Sequence, residues 1–192
     1  VDKNQKILDL GCGGGPLLRD LAISVGPKGK VVGIDPSEQQ IEAATSFCSD
    51  LMNTELYQGS GISLPFEDNS FNSVSSIQVL EYIADVDIAI SEIKRVIKPK
   101  GRFASVSVLW DHWRFHGPEP KLNENMHDAF KNHCYHQMLP LSLPGILEKN
   151  NFNGIQCKSL SFLNKTLHYN SFARIASKLL MYFAEQEGIS KT

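Results

Sequence analysis

The most constraining feature of this chain is a short apolar run that ends in a glycine-rich loop and is followed at once by a helical pattern. Lys6 to Leu10 reads as a buried strand, Gly11-Cys12-Gly13-Gly14-Gly15 as a tight loop, and Pro16 suits the first turn of the helix that follows. Leu17, Leu18, Leu21 and Val25 then recur at helical spacing until Gly26-Pro27 stops them. A strand that enters a helix through glycines is the opening unit of a parallel sheet with crossover helices.

The same alternation continues. Val31 to Ile34 forms a second predicted strand ending at Asp35, and Ser37 with Gln40 forms a capping box for the next helix. Its apolar stripe is Ile41, Ala44, Cys48 and Leu51, which makes Cys48 a small buried hydrophobe. Glu55 to Gln58 is a third strand leading to Gly59-Ser60-Gly61, and Phe71 to Ile77 a fourth. A helix with Val86, Ala89, Ile90, Ile93 and Ile97 on one face leads through Lys98 to Gly101 into a fifth strand, Phe103 to Leu109. The pattern predicts an α/β fold, a Rossmann-like doubly wound and mostly parallel sheet flanked by helices, in a single domain 1-192. Residues 1-109 form a cofactor-binding core, 110-150 a polar insertion or lid on the substrate side, and 151-192 a C-terminal strand and helix. Within these, the spacing predicts a helix over 143-149, a strand over 152-163 and a helix over 171-187. The first strand starts almost at Val1, so the expectation is a fragment lacking segments at its ends.

Composition excludes several classes. A formal charge of −2 offers no broad attraction for nucleic acid or an anionic membrane. The basic cluster Lys94, Arg95, Lys98, Lys100 and Arg102 reads as a solvated helix terminus, where cations suit the dipole. Cys12, Cys48, Cys134 and Cys157 are scattered without a CxxC pair, as in a reduced, cytoplasmic protein. No apolar run reaches membrane-spanning length.

The loop and Asp35 together define a candidate cofactor site. In an open parallel sheet, ligands bind beyond the C-terminal strand ends where strand order reverses. A carboxylate at the end of the second strand can accept hydrogen bonds from both ribose hydroxyls of a nucleoside. Alone, Asp35 could equally cap a turn before Pro36; one βα unit after the glycine loop, the ligand role prevails. A dinucleotide site would place a third glycine where Pro16 stands, and Asp9 beside the loop would repel a pyrophosphate. Both residues oppose a nicotinamide oxidoreductase, and Asp9 suits a ligand with a cationic amino group.

These segments resemble, in order and spacing, the motifs of class I S-adenosylmethionine-dependent methyltransferases. Ile7 to Gly15 is similar to their first motif and Val32 to Asp35 to their second. Leu64 to Phe71 resembles the loop before their fourth strand, and Arg95 to Gly101 the linker into their fifth. The match spans about Lys6 to Val108 and points to the broad small-molecule branch of the family. The resemblance implies S-adenosyl-L-methionine as cofactor and S-adenosyl-L-homocysteine as product. It implies that Asp9, Gly11, Cys12, Gly13 and Gly15 hold the methionine end, Asp35 with Pro36 the ribose, and Ser60, Gly61 and Ile62 the adenine edge. Gln78 is implied to face the methionine portion or the acceptor. Ser60 departs from the family's usual acidic residue, Asn72 from its aspartate, and Lys100 from its glycine.

Methyl transfer from a sulfonium needs alignment above all, and a base only where the acceptor must lose a proton. Candidate acceptor-side residues are Glu81, Tyr82, Trp110, Asp111, His112, Trp113 and His116, with His112 and Tyr82 the catalytic candidates. Each has a plainer reading as a loop or helix-surface residue. His127, His133, Cys134 and His136 form no clean ligand set, so no metal is expected. Ser75 to Gln78 lacks the Asn/Asp-Pro-Pro-aromatic motif of amino-group DNA methyltransferases, and no Pro-Cys pair serves cytosine chemistry. The partner expected is therefore a small organic methyl acceptor, not a nucleic acid. The competing reading is a degenerate or regulatory domain that binds S-adenosylmethionine without turnover. The oligomeric state is not written in the sequence.

Overall fold

The computed structural model describes residues 1-112, 119-160 and the single positions 174, 178, 181, 182, 185 and 188. Five strands, β1 (Lys6–Leu10), β2 (Lys30–Asp35), β3 (Thr54–Gln58), β4 (Phe71–Ile77) and β5 (Ile97–Val106), form one sheet in the order β3-β2-β1-β4-β5. Every neighbouring pair is parallel. Helices α1 (Pro16–Val25), α2 (Glu38–Phe47) and α3 (Val86–Val96) make the crossovers, and α4 (Pro120–Phe130) and α5 (Leu139–Lys149) follow. The order reverses between β1 and β4, which puts a crevice at their C-terminal ends.

Neighbouring residues of β1 serve opposite faces, as a pleated strand requires. Ile7 joins Val31 and the α1 residues Leu18, Leu21 and Val25 on one side. Leu8 and Leu10 join Ile34, Val74, the α3 residues Ile90 and Ile93, and Leu139 and Leu143 of α5 on the other. Each such side chain contributes about 1.5–3 kcal/mol by leaving water, so β1, buried on both faces, is the anchor of the fold.

Local signals set most element ends. Pro16 occupies the first turn of α1 and Gly26 caps its end at φ 77°. Ser37 accepts a hydrogen bond from the Gln40 amide at 3.4 Å at the start of α2, while Cys48 sits just past its end and is buried.

Several expectations are corrected. The fifth strand begins at Ile97 rather than Phe103 and ends at Val106 rather than Leu109. Its pairing jumps from Phe71↔Ile97 to Ser73↔Arg102, so the expected linker Lys98 to Gly101 is a bulge inside the strand, with Lys100 at φ 64°. The strand stops where its partner β4 stops, at the Ile77↔Val106 pair. The polar stretch after it contains a 3-10 turn, Trp110–His112, and helix α4. Helix α5 starts at Leu139, earlier than expected, and carries Pro144 inside it. No strand forms over 152-160; Phe152 instead packs its ring 6.0 Å from Phe103. Residues 161-163 of that expected strand, and most of the expected helix 171-187, lie outside the described residues; positions 174, 178, 181, 182 and 185 are helical. Among the described residues no helix is long and apolar enough to cross a membrane.

Candidate functional site

The loop that closes β1 turns back on itself through Gly11, Gly13 and Gly15, at φ 68°, 51° and 92°. The amides of Gly11 and Cys12 both donate to the Ile34 carbonyl, at 2.8 and 3.1 Å, which ties the loop to the end of β2. Gly11 has a second constraint: a Cβ there would lie 2.2 Å from Val79 Cγ2. Only glycine fits both the left-handed backbone and this contact. Gly15 is the N-cap of α1 and supplies no side-chain cap, so after Pro16, which has no amide hydrogen, the next amides of that helix are left without a capping side chain.

Asp35, half-buried at the end of β2, is held by backbone on both oxygens. Its Oδ2 accepts the Gly13 amide at 3.0 Å and its Oδ1 accepts the Ser37 amide at 3.0 Å. Each oxygen keeps a further lone pair. Pro36 follows as an exposed residue.

Asp9 is the most unusual group of the site. It is only 2% exposed; Oδ1 accepts the Ser75 hydroxyl at 3.0 Å, while Oδ2 is buried without a hydrogen-bond partner. Burial raises its pKa to about 7, and the Ser75 bond offsets part of that rise. A buried acceptor left open at the mouth of a parallel sheet calls for a cationic or donating ligand group. Beside it, burial and the charges of Asp9 and Asp35 push the Cys12 thiol up to about 12, so Cys12 is a neutral filler rather than a nucleophile.

The remaining sequence candidates fall around this centre. Gly61 is buried, and exposed Ser60 and Ile62 sit at the rim, the Ser60 hydroxyl accepting the Ile62 amide at 3.4 Å. Gln78, at φ 54°, bends the chain just past β4 and donates its amide to Val106 at 2.8 Å. The 3-10 turn Leu80–Tyr82 follows, with Glu81 fully buried and Tyr82 39% exposed. Burial first, then the neighbouring Glu81, pushes the Tyr82 phenol above its usual range, so it offers a proton in a hydrogen bond rather than acting as a base. Trp110 is buried, and His112 is exposed at the end of its turn. Trp113 and His116 lie outside the described residues.

Two histidines of the histidine-rich segment, His133 and His136, pack against their neighbours. His133 is buried with its ring stacked 3.7 Å from Phe130 and edge-on to Trp110 at 4.7 Å, and burial lowers its pKa. His136 Nε2 lies 3.0 Å from the Ile83 carbonyl and 3.1 Å from that of Ala84. Among the described residues, no three His, Cys, Asp or Glu side chains gather as a metal site.

Three residues escaped sequence reasoning. Val79 and Ser75 carry no chemical signal in the sequence, since their roles arise from contact with Gly11 and Asp9. Arg95, expected to be a solvated helix end, is a hub. It donates to the carbonyls of Leu64 and Phe66 at 3.0 and 2.6 Å, and pairs with Glu92 and Asp68. It thereby pins the 64-68 loop beside the adenine-edge candidates.

Comparison with known proteins bears on the family and the fold. Residues 1–156 match a family model described as a methyltransferase domain. The chain is 41% identical to the demethylmenaquinone methyltransferase of Staphylococcus aureus over 101 residues, 53% of this chain and 42% of that protein. The chain thus spans under half the length of that curated relative. A SAM-dependent methyltransferase from Aquifex aeolicus superposes with a TM-score of 0.61 at 25% identity, covering 78% of this chain and 73% of the other. The YcgJ protein of Bacillus subtilis superposes at 0.58 with 25% identity, over 76% and 61%. With its parallel sheet in the order β3-β2-β1-β4-β5 and its glycine loop at the reversal point, the chain belongs to the class I S-adenosylmethionine-dependent methyltransferase family.

Proposed function

We propose that this chain binds S-adenosylmethionine across the ends of β1, β2 and β4 and transfers its methyl group to a small organic acceptor by in-line displacement. One observation carries the reading: the Asp35 carboxylate is fixed on both oxygens by the Gly13 and Ser37 amides, so it is ready to receive ribose hydroxyls without reorganising. The open Oδ2 of Asp9 fits the amino group of the methionine portion, and the Leu17 and Leu18 amides in the first turn of α1 suit its carboxylate. Bound here, the cofactor supplies an already activated methyl group on a sulfonium.

The chain's own residues then have simple tasks. Asp9, Asp35 and the Gly11 to Gly15 loop hold and orient the donor, with Pro36, Ser60, Gly61 and Ile62 bordering the nucleoside and Gln78 facing the sulfonium side. Alignment supplies much of the rate. Tyr82 can donate a hydrogen bond to the acceptor, and exposed His112 is the candidate base where the acceptor must lose a proton. Residues 110-112 and 119-150 border the acceptor side as its cover. Ile77 and Val106, 43% and 40% exposed at the paired ends of β4 and β5, support an acceptor with an apolar body. The Staphylococcus aureus relative is named for demethylmenaquinone, an acceptor of that general character. The free buried thiols of Cys12 and Cys48 support a reduced, cytoplasmic setting.

The competing reading is a regulatory S-adenosylmethionine-binding domain without turnover. It draws on Ser60, whose hydroxyl is already engaged with the Ile62 amide where the family uses an acid. Calorimetric titration with S-adenosylhomocysteine, beside Asp35→Ala, tests the site. Saturable binding lost in the variant is expected, and no binding by the folded wild-type chain would overturn the reading. Formation of S-adenosylhomocysteine with apolar ring acceptors then separates the enzyme from the regulatory domain.

A further inference from the structure

The most heavily buried charge-bearing side chain outside the cofactor loop is Glu81. It is 0% exposed, and Ser107, Trp110 and the Val108 backbone face its carboxyl, short of full hydrogen-bond geometry. A residue needed only for packing would be apolar, because burying a carboxyl is costly unless it organises donors around it. The backbone of Glu81 is engaged too. Its carbonyl accepts the amides of Tyr135 at 3.0 Å and His136 at 3.1 Å. Just past the turn, the carbonyls of Ile83 and Ala84 share His136 Nε2, which must carry a proton because both partners are acceptors. From the other side, the Trp110 amide donates to the Gln137 carbonyl at 2.9 Å.

We propose that Glu81 is a positioning residue for methyl transfer, clasping the acceptor-side residues 107-110 and 133-137 to the turn whose Val79 presses on Gly11. The inference rests on the proposed function and assigns this residue's part in it. Two sides of the site meet at one short turn: the cofactor loop through Val79 and Gly11, and the acceptor cover through Glu81, Trp110 and His136. Tyr82, the next residue, takes its direction from the same turn, as its ring lies 5.8 Å from His133 in an edge-on contact. Glu81 touches neither partner of the reaction in this scheme; it fixes the groups that do.

The test compares the wild type with Glu81→Gln, which keeps shape and an acceptor oxygen, and Glu81→Leu, which keeps bulk alone. Amide hydrogen exchange is read at Trp110, Tyr135 and His136 without ligand, and affinity for S-adenosylhomocysteine by calorimetry. For Glu81→Leu, exchange at these amides should rise about tenfold or more, as local opening becomes easier. Its cofactor affinity should fall roughly fivefold through the Val79–Gly11 contact, a coupling carried by packed neighbours. Glu81→Gln should restore both, and where turnover is measurable, Glu81→Leu should lower kcat more than it changes the KM for the methyl donor. Should Glu81→Leu fail to fold, Trp110→Phe removes the indole N–H that faces the carboxyl and should raise exchange at Tyr135 and His136. Unchanged exchange in Glu81→Leu, or in Trp110→Phe where that substitute is used, overturns the clasp. Wild-type protein that binds no S-adenosylhomocysteine would sink the methyltransferase reading instead, and with it the catalytic part of this inference.

Discussion

Asp35 Oδ2 accepts the Gly13 amide at 3.0 Å across 22 residues of sequence. The bond joins the glycine loop to the end of β2. With the Ser37 amide on Oδ1, both oxygens of the carboxylate are held by backbone.

Asp35→Asn measures the value of that arrangement. The amide nitrogen of asparagine cannot accept from Gly13 or Ser37, so one of the two backbone donors loses its partner. Hydrogen bonds to a charged group contribute about 1.5–3 kcal/mol each, which sets the expected loss of S-adenosylhomocysteine affinity at roughly 10- to 100-fold. Calorimetry reads the loss; an affinity within twofold of wild type would mean that Asp35 only caps its turn.

Asp9 predicts a pH dependence. Its pKa is raised to about 7 by burial, so the folded, ligand-free protein binds this proton more tightly than the unfolded chain does. Its contribution to stability is full below the unfolded pKa near 4 and is lost as pH rises through about 7. Asp9→Asn should therefore stabilise the ligand-free protein at pH 8, by on the order of 2–4 kcal/mol, and much less at pH 4. Ligand binding carries the opposite sign, because only the ionised carboxylate attracts an ammonium. Affinity for S-adenosylhomocysteine should weaken as pH falls below about 7 in the wild type, and this slope should vanish in Asp9→Asn. Thermal melts and calorimetry across pH 5 to 8 check both limbs.

Gly11→Ala should be costly for two separable reasons. The backbone at φ 68° disfavours a Cβ, and that Cβ would meet Val79 Cγ2 at 2.2 Å. A loss of about 2–4 kcal/mol is expected from strain and overpacking together. Adding Val79→Ala should return part of it by making room, and a double-mutant cycle reads the coupling. Strictly additive losses would show that the contact is not shared.

Arg95→Lys should fail to replace Arg95. Arginine's fork reaches the Leu64 and Phe66 carbonyls and both acidic partners at once, whereas a lysine ammonium cannot span that set. A stability loss of about 1–2 kcal/mol is expected by chemical denaturation, from two carbonyls and a half-buried Glu92 left short of donors. Faster exchange at the Leu64 amide, which donates to Glu92 Oε2 at 2.8 Å, should accompany it.

The sequence by itself determined what depends on neighbours along the chain. The apolar runs of β1 and β2, the glycines that need a left-handed backbone, Pro16 at a helix start and Ser37 as a cap are local requirements, readable at short range. So was the pairing of the Gly11 to Gly15 loop with Asp35, because parallel strands joined by one crossover must end on the same edge of the sheet. Tertiary structure decided the rest. That Val79 covers Gly11, that Ser75 satisfies one oxygen of Asp9 and leaves the other open, and that Arg95 binds a loop near thirty residues away are facts of β4 and α3 packing. The bulge at Lys98 to Gly101 is likewise a matter of register with β4, which no local pattern encodes. Glu81 is the sharpest case: an acidic side chain in a short turn has a plain reading as surface, yet it is 0% exposed, with the amides of Tyr135 and His136 bonded to its carbonyl. Short-range sterics and capping can be read from adjacent letters; burial and electrostatic environment come from residues that meet only once the sheet has assembled.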